Sequence, residues 1–329
     1  MISGNTALAS VSFKVYGVID RLKVYETLSQ NSLVGNIARC ESIRKQSTSA
    51  DSLANYPYKS LIVTSPKKHV FHVELNRPEK LNAFNKVLWR EIGECFAQLG
   101  EDSLCRAVVL SGQGKLFSAG IDLADLTELG SIVTSDDDIA KKCRALFKKI
   151  SHFQNCLSSL EECPKPVIAA VHGACIGAGI DLISAADVRY CTSDAWFQIK
   201  EVELGLAADV GTLQRFPKTI GSSSVARELC FTARKFFSNE AEKIGFVSRV
   251  FPEKAGLVKS ALELAETIAK KSPVAMQTTK ETLNYSRDHT VEEGLKFIAG
   301  RNMIYLQSED LMKAAMAMMN KESAEFSDY

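Results

Sequence analysis

The sequence has no excess of either charge: 40 Lys and Arg against 39 Asp and Glu leave a formal net charge of +1 over 329 residues. With a pI near 7.5 it offers no basic footprint for nucleic acid or for an acidic membrane surface. Long apolar runs are missing as well. The longest weakly polar stretch, Val167 to Leu182, is interrupted by His172 and Asp181 and falls short of the ~20 residues that a membrane span needs. Histidine is scarce, with five residues at positions 69, 72, 152, 172 and 289. No His or Cys group has metal-ligand spacing, so neither a structural nor a catalytic zinc is expected. His69 and His72, three apart in an expected strand, fall on opposite faces of it. CxxC pairs are absent. The nine cysteines are odd in number and scattered, mostly among apolar neighbours as Cys175 is, and read as reduced core thiols of an intracellular protein. Neither the dinucleotide fingerprint GxGxxG nor the Walker pattern GxxxxGK[ST] occurs, which removes the two commonest phosphate cradles.

What is present is an ordinary globular composition, 46% apolar and 24% charged, in a chain long enough for two domains of roughly 150 residues or one large domain with an appendage. Residues 1–55 stand apart. They are rich in Ser, Asn and small apolar residues, and through Ala50 they hold six basic side chains (Lys14, Arg21, Lys23, Arg39, Arg44, Lys45) against three acidic ones (Asp20, Glu26, Glu41). A Ser-rich, net-basic leader suggests an organellar transit peptide, the alternative being a solvated tail. The last residues, Ser327, Asp328 and Tyr329, are not the Ser-Lys-Leu peroxisomal address, so the mitochondrial matrix is the expected location.

From Tyr58 onward, strand-like and helical runs alternate. Ser60–Thr64 and His69–Leu75 predict a hairpin around Ser65-Pro66-Lys67-Lys68. Val87, Leu88, Ile92, Cys95, Phe96 and Leu99 make a helical stripe over Asn85–Leu99. Arg106–Ser111 and Pro166–Val171 predict buried strands with a helix over Asp136–Leu160 between them, the pattern of βα units around a sheet covered on both faces. Beyond Phe251 only helices are expected, over Gly256–Lys271, Pro273–Ser286 and Val291–Asn320. The last of these carries Leu295, Ile298, Met303, Ile304, Leu306, Leu311, Met312, Met316 and Met319, which read first as core and second as a subunit interface. The expected division is a leader and linker over 1–55, a core over 56–255 and a helical region over 256–329.

Two glycine-containing loops each follow a buried strand. The first runs from Ser111 to Leu123 and includes Ala119, Gly120, Ile121 and Asp122; the second runs from His172 to Asp181 and includes Gly177, Ala178 and Gly179. Small residues there let backbone approach a ligand, and one N–H from each loop can converge on a single oxygen. A helix following the second loop would add its N-terminal dipole to such an oxyanion hole. The alternative is that the glycines only permit tight packing. Beyond the second loop, Asp181, Glu201 and Asp209 sit among small and apolar residues. There desolvation and neighbouring charge raise a carboxyl's proton affinity and suit it to proton transfer. The alternatives are a first-turn helix residue for Asp181, a solvated strand face for Glu201 and a helix N-cap for Asp209.

The motifs Leu75-Asn76-Arg77-Pro78, Asn82-Ala83-Phe84-Asn85, Phe117 to Leu123, Pro164 to Gly173 and Gly177 to Asp181 together resemble the crotonase (enoyl-CoA hydratase/isomerase) superfamily, from about Tyr58 to the end of the chain. The run Phe197 to Arg215 is similar to its dienoyl-CoA isomerase branch. The resemblance implies an α/β fold, a crotonase-like spiral of ββα units with a C-terminal helical trimerisation region, assembled as a homotrimer or homohexamer. It implies an acyl-CoA thioester substrate with no cofactor beyond the coenzyme A of the substrate itself. It also implies an oxyanion hole from the N–H groups of Ile121 and Ala178, within the substrate-binding residues Ala119, Gly120, Ile121, Asp122, Leu123 and Ala178. Glu201 and Asp209 would transfer protons at C2 and C6, with the assignment reversible, and Asp181 would be the third acid. Arg77, Lys80 and Lys115 are candidates for coenzyme A phosphate contacts. Two other functions share the resemblance: a 2-enoyl-CoA hydratase, and a non-catalytic or RNA-binding protein of the same fold, the latter disfavoured by the neutral charge.

Overall fold

The computed structural model describes residues 56–329; the expected leader, like Cys40, lies outside them. The order of elements follows from sequence period. Strand β1 (Leu61–Lys67) turns back antiparallel onto β2 (Val70–Leu75), and β3 (Ala107–Gly112), β4 (Val167–Val171), β6 (Val188–Thr192) and β9 (Arg249–Phe251) add in parallel, giving one six-stranded sheet in the order β1-β2-β3-β4-β6-β9. Three short strands, β5 (Ala174–Ile176), β7 (Trp196–Gln198) and β8 (Phe236–Phe237), form a second sheet in the order β5-β7-β8.

Both faces of the central strands are buried, which is why their sequences are apolar without alternation. Val108, Leu110, Val167, Ala169 and Val171 face one core with α1 (Lys86–Glu101) and α3 (Ile139–Glu162). Ala107, Val109, Ile168 and Ala170 face a second core against α8 (Lys254–Ala269). Helix α8 presents Leu257, Ala261, Ala265 and Ala269 to the sheet, a stripe at i, i+4 spacing small enough for close approach. Helix α1 begins where expected because the Asn85 side chain accepts from the Leu88 N–H at 3.0 Å, an N-cap worth about 1 kcal/mol.

Several boundaries differ from the sequence expectation. Strand β1 runs through Ser65 and Pro66, with its register shifted between Thr64 and Lys67; Pro66 is tolerated because β1 is an edge strand. The turn is Lys68–His69, so His69 lies outside the strand at φ +62° rather than on a face opposite His72. A helix over Leu123–Thr134, α2, was not expected, and α3 starts at Ile139, capped by Asp138. The long C-terminal helix is broken into α10 (Val291–Tyr305) and α11 (Glu309–Asn320), because the Ser308 side chain caps α11 at the Asp310 N–H.

Core packing, the first reading for the apolar residues of that region, does not hold within the chain: Leu295, Met303, Ile304, Leu306, Leu311, Met312, Met316 and Met319 are all exposed. Among the described residues the eight cysteines are free thiols and seven of them are buried, Cys143 being exposed. No described helix is long and apolar enough to cross a membrane.

Candidate active site

The two loops meet at the ends of the parallel strands. Phe84 N–H donates to the Gly120 carbonyl at 2.8 Å, and Asp122 N–H donates to the Phe84 carbonyl at 2.9 Å. This bridge takes up the groups on either side of Ile121 and turns the Ile121 N–H to the opposite side, as parallel pairing requires. Ala178 opens α4 (Ala178–Ser184), so its N–H has no acceptor inside the helix. Helix α4 is seven residues long, so about two turns of aligned peptides stand behind that N–H. The loops approach each other through Gly120, at φ +90°, where a Cβ would stand 3.0 Å from the Ile176 carbonyl oxygen. Gly177, at φ +50°, likewise lies where a Cβ would sit 3.1 Å from Glu201 Oε1. Both φ values disfavour a side chain, and a Cβ would be tight at either position.

The first loop is pinned from below by a residue whose role the sequence did not disclose. Asn82 is fully buried at φ +51°; its Nδ2 donates to the carbonyls of Gln113, Leu116 and Phe117, while its Oδ1 accepts from the Arg77 N–H. The Ser118 hydroxyl donates to the Asn82 carbonyl at 2.9 Å and accepts from the Gly120 N–H at 3.2 Å. The motif around Asn82 was visible; the three carbonyls its Nδ2 holds lie more than 30 residues away.

Three acids and both loops line one cleft of about 670 Å³. Asp181, on α4, is fully buried. Its Oδ1 accepts from the Thr212 N–H at 2.6 Å at the start of α5 (Thr212–Ile220), while its Oδ2 is buried without a partner. Burial, and then the charge of Glu201, push its carboxyl up to about 7. Glu201 opens a short 3-10 helix, Glu201–Leu204, and so is not a strand residue. Its Oε2 is buried without a partner, and burial with the nearby charge of Asp209 raises its proton affinity. Asp209 lines the same cleft from an exposed segment, and partial burial raises it as well. It is not the N-cap of α5, a place taken by Gly211. These acids do not form a chelate: among the described residues no three His, Cys, Asp or Glu side chains could hold a metal ion. The far wall is apolar and includes Trp89, Leu126, Leu129, Ile150 and Phe153, with Trp89 stacked on Phe153 at a ring separation of 4.4 Å.

The phosphate candidates separate. Arg77 donates to the Ala83 carbonyl and twice to Asp122 Oδ2, each at 3.2 Å, and is spent on holding the loop rather than offered to a ligand. Asp122 in turn caps α2 through the Ala124 N–H. Lys80 lines the cleft, whereas Lys115 is exposed and outside its lining. Ala119, Gly120, Ile121, Asp122, Leu123 and Ala178 all line it.

The raised Asp181 carboxyl makes a stability prediction. Its folded proton affinity exceeds its unfolded one, so its contribution turns unfavourable as pH rises past the ordinary carboxylate value, and the cost is complete above about 7. Asp181→Asn keeps the acceptor for Thr212 and drops the charge. Thermal unfolding is expected to show a higher Tm than the parent at pH 8, corresponding to a few kcal/mol, with the gain fading from pH 7 toward pH 4. A Tm difference that does not change with pH would remove burial of the charge as its cause.

Compared with known proteins, residues 65–329 match the family described as enoyl-CoA hydratase/isomerase. The chain is 51% identical over 291 residues to the mitochondrial Delta(3,5)-Delta(2,4)-dienoyl-CoA isomerase of Rattus norvegicus, which covers 86% of this chain and 89% of the relative. It is 41% identical to the peroxisomal Delta(3,5)-Delta(2,4)-dienoyl-CoA isomerase of Arabidopsis thaliana, covering 84% and 99% respectively. Among solved structures, the enoyl-CoA hydratase of Bacillus anthracis superposes with a TM-score of 0.74 at 26% identity over 82% of this chain and all of that one.

Proposed function

Because the chain belongs to the enoyl-CoA hydratase/isomerase family, we propose that it is a double-bond isomerase that converts 3,5-dienoyl-CoA to 2,4-dienoyl-CoA in the β-oxidation of unsaturated fatty acids. The observation that carries this reading is the second acid: Asp209 lines the same cleft as Glu201 and the two oxyanion loops. Moving the bonds from 3,5 to 2,4 removes a proton at C2 and adds one at C6, too far apart for one short side chain. Glu201, beside Gly177 at the oxyanion loop, takes the C2 proton as its carboxylate. The electron pair delocalises through the diene onto the thioester oxygen, which accepts from the Ile121 and Ala178 N–H groups. Asp209, whose proton affinity partial burial raises, enters the step as the acid and delivers its proton to C6 as the diene re-forms at 2,4. Glu201 ends protonated and Asp209 ionised, and solvent resets both. Asp181, fully buried, spares the site a third full charge when protonated. On this reading the only coenzyme is the CoA of the substrate, and the apolar wall from Trp89 to Phe153 receives the acyl tail.

The test is an assay of the purified protein on a 3,5-dienoyl-CoA, followed by the ultraviolet absorbance of the extended conjugation, beside a 2-enoyl-CoA of matched length. Conversion of the diene supports the reading; preferential hydration of the enoyl-CoA makes the protein a hydratase and overturns it.

The exposed Leu and Met residues of α10 and α11 suit burial between copies of the chain, as a homotrimer or a hexamer. Sedimentation is expected to give three or six times the chain mass of 36.1 kDa, and a monomer would contradict it. Location in the mitochondrial matrix is supported by the net-basic leader and by the name of the Rattus norvegicus relative. Residues 1–55 fused to a fluorescent protein should direct it there, and cytosolic fluorescence would count against it.

A further inference from the structure

Gln154, Ser158 and Glu161 fall at i, i+4 and i+7 on one face of α3; Gln154 holds the segment that carries the second acid, and Ser158 and Glu161 hold α5, the helix that follows it. Arg215, in α5, donates from Nε to Glu161 at 2.8 Å and from Nη2 to the Ser158 hydroxyl at 2.9 Å. One turn earlier on the same face, Gln154 Nε2 donates to the Asp209 main-chain carbonyl at 2.6 Å. The residues leading up to Asp209, 202–207, are exposed, and so is Asp209 itself. Its main chain is tied down by the buried neighbours Ala208 and Val210 and by the Gln154 amide, which donates to its carbonyl. The same helix contributes Ile150 and Phe153 to the cleft wall. The Gln154 bond therefore sets Asp209 at a fixed height against that wall.

Resting on the isomerase reading above, we infer that Gln154 is a positioning residue for Asp209, aiming the C6 proton donor and leaving the C2 step to Glu201. The bond is to main chain, so it does not touch substrate. Its loss lets the acid drift, and a misplacement of about 1 Å can cost on the order of a hundredfold in rate. Gln154 is exposed, and Gln154→Met keeps its length while removing the donor, so the fold has little to lose.

The experiment uses the full chain and a 3,5-dienoyl-CoA in deuterium oxide. It compares the turnover of Gln154→Met with the rate at which deuterium enters C2 of recovered substrate, and thermal unfolding is measured alongside. The expected result is a tenfold to roughly hundredfold loss of kcat with little change in KM. Exchange at C2 per molecule is retained, so the ratio of exchange to turnover rises by the same factor. Equal loss of exchange and turnover overturns the assignment, because a general structural defect lowers both; unchanged turnover overturns it as well. Parent protein that neither converts the diene nor exchanges C2 overturns the isomerase reading first, and the role of Gln154 with it. An active parent with an unaffected variant removes only Gln154.

Discussion

Asp209→Asn is expected to lower kcat for diene isomerisation by on the order of 10³-fold, within the range ascribed to a positioned proton donor, while leaving exchange of the C2 proton in place. The amide has the shape of the acid but no proton to give, and Asp209 is exposed at the edge of the cleft, so neither the fold nor substrate binding depends on its charge. Glu201→Gln should behave differently. Glu201 stands beside Gly177, at the loop proposed to hold the thioester oxygen, and its loss would remove the proposed first step, so turnover and exchange should fall together. The pair of variants separates two protons that a single rate measurement merges. Kinetics with deuterium tracing would show the dissociation directly, and wild-type turnover in Asp209→Asn would leave the double-bond shift without its second carrier. Loss of exchange in Asp209→Asn, with exchange retained in Glu201→Gln, would reverse the two roles without removing the mechanism.

The sequence displayed the parts of this arrangement that are local. Buried strands such as Val167–Val171 are apolar throughout because both faces are covered, and the Asn85 cap and the stripe of α1 announce themselves within a few residues. The glycines at 120 and 177 were legible as close-approach positions, and the three acids as unusual in apolar company. What stayed hidden is what closes over distance. Asp122 reads as a substrate-loop residue, yet it is also the partner of Arg77, 45 positions earlier, and that pairing turns a phosphate candidate into a brace. Helix α2 holds Gly130 and a Thr-Ser end, which weaken any periodic signal, and its cap is the same Asp122. Asp209 resembles an N-cap because a helix begins three residues on; that helix is met instead by the Asp181 carboxylate from α4, which no local pattern encodes. Gln154 is one polar residue on a helix among many until the fold sets it against the Asp209 carbonyl. The Met-rich C-terminal stripe shows the same limit from the other side: periodicity reports that a face is apolar, and says nothing of whether the cover comes from the same chain.

Ala178→Pro offers the sharpest separation of catalysis from folding. Proline lacks the N–H that the thioester oxygen would accept from, and removing one such donor costs about 10²- to 10³-fold in kcat. Elsewhere the substitution would break a helix, but Ala178 is the first residue of α4, where proline is favoured because the N–H has no intrahelical acceptor. The preceding residue is Gly177, at φ +50° and ψ −117°, outside the helical region that a following proline disfavours and without a Cβ to meet its ring. The melting temperature should therefore move by only a few degrees while activity collapses toward what the Ile121 N–H supports alone. Ala178→Gly is the matching control: it keeps the donor, gives up less than about 1 kcal/mol of helix preference, and should turn over at nearly the parental rate. The two variants differ in the N–H and in the pyrrolidine ring that replaces it, whose Cδ stands where the hydrogen was. If Ala178→Pro kept its activity with the fold intact, the charge that develops on the thioester oxygen would have to be met elsewhere, and the convergence of the two glycine loops would be packing without chemistry.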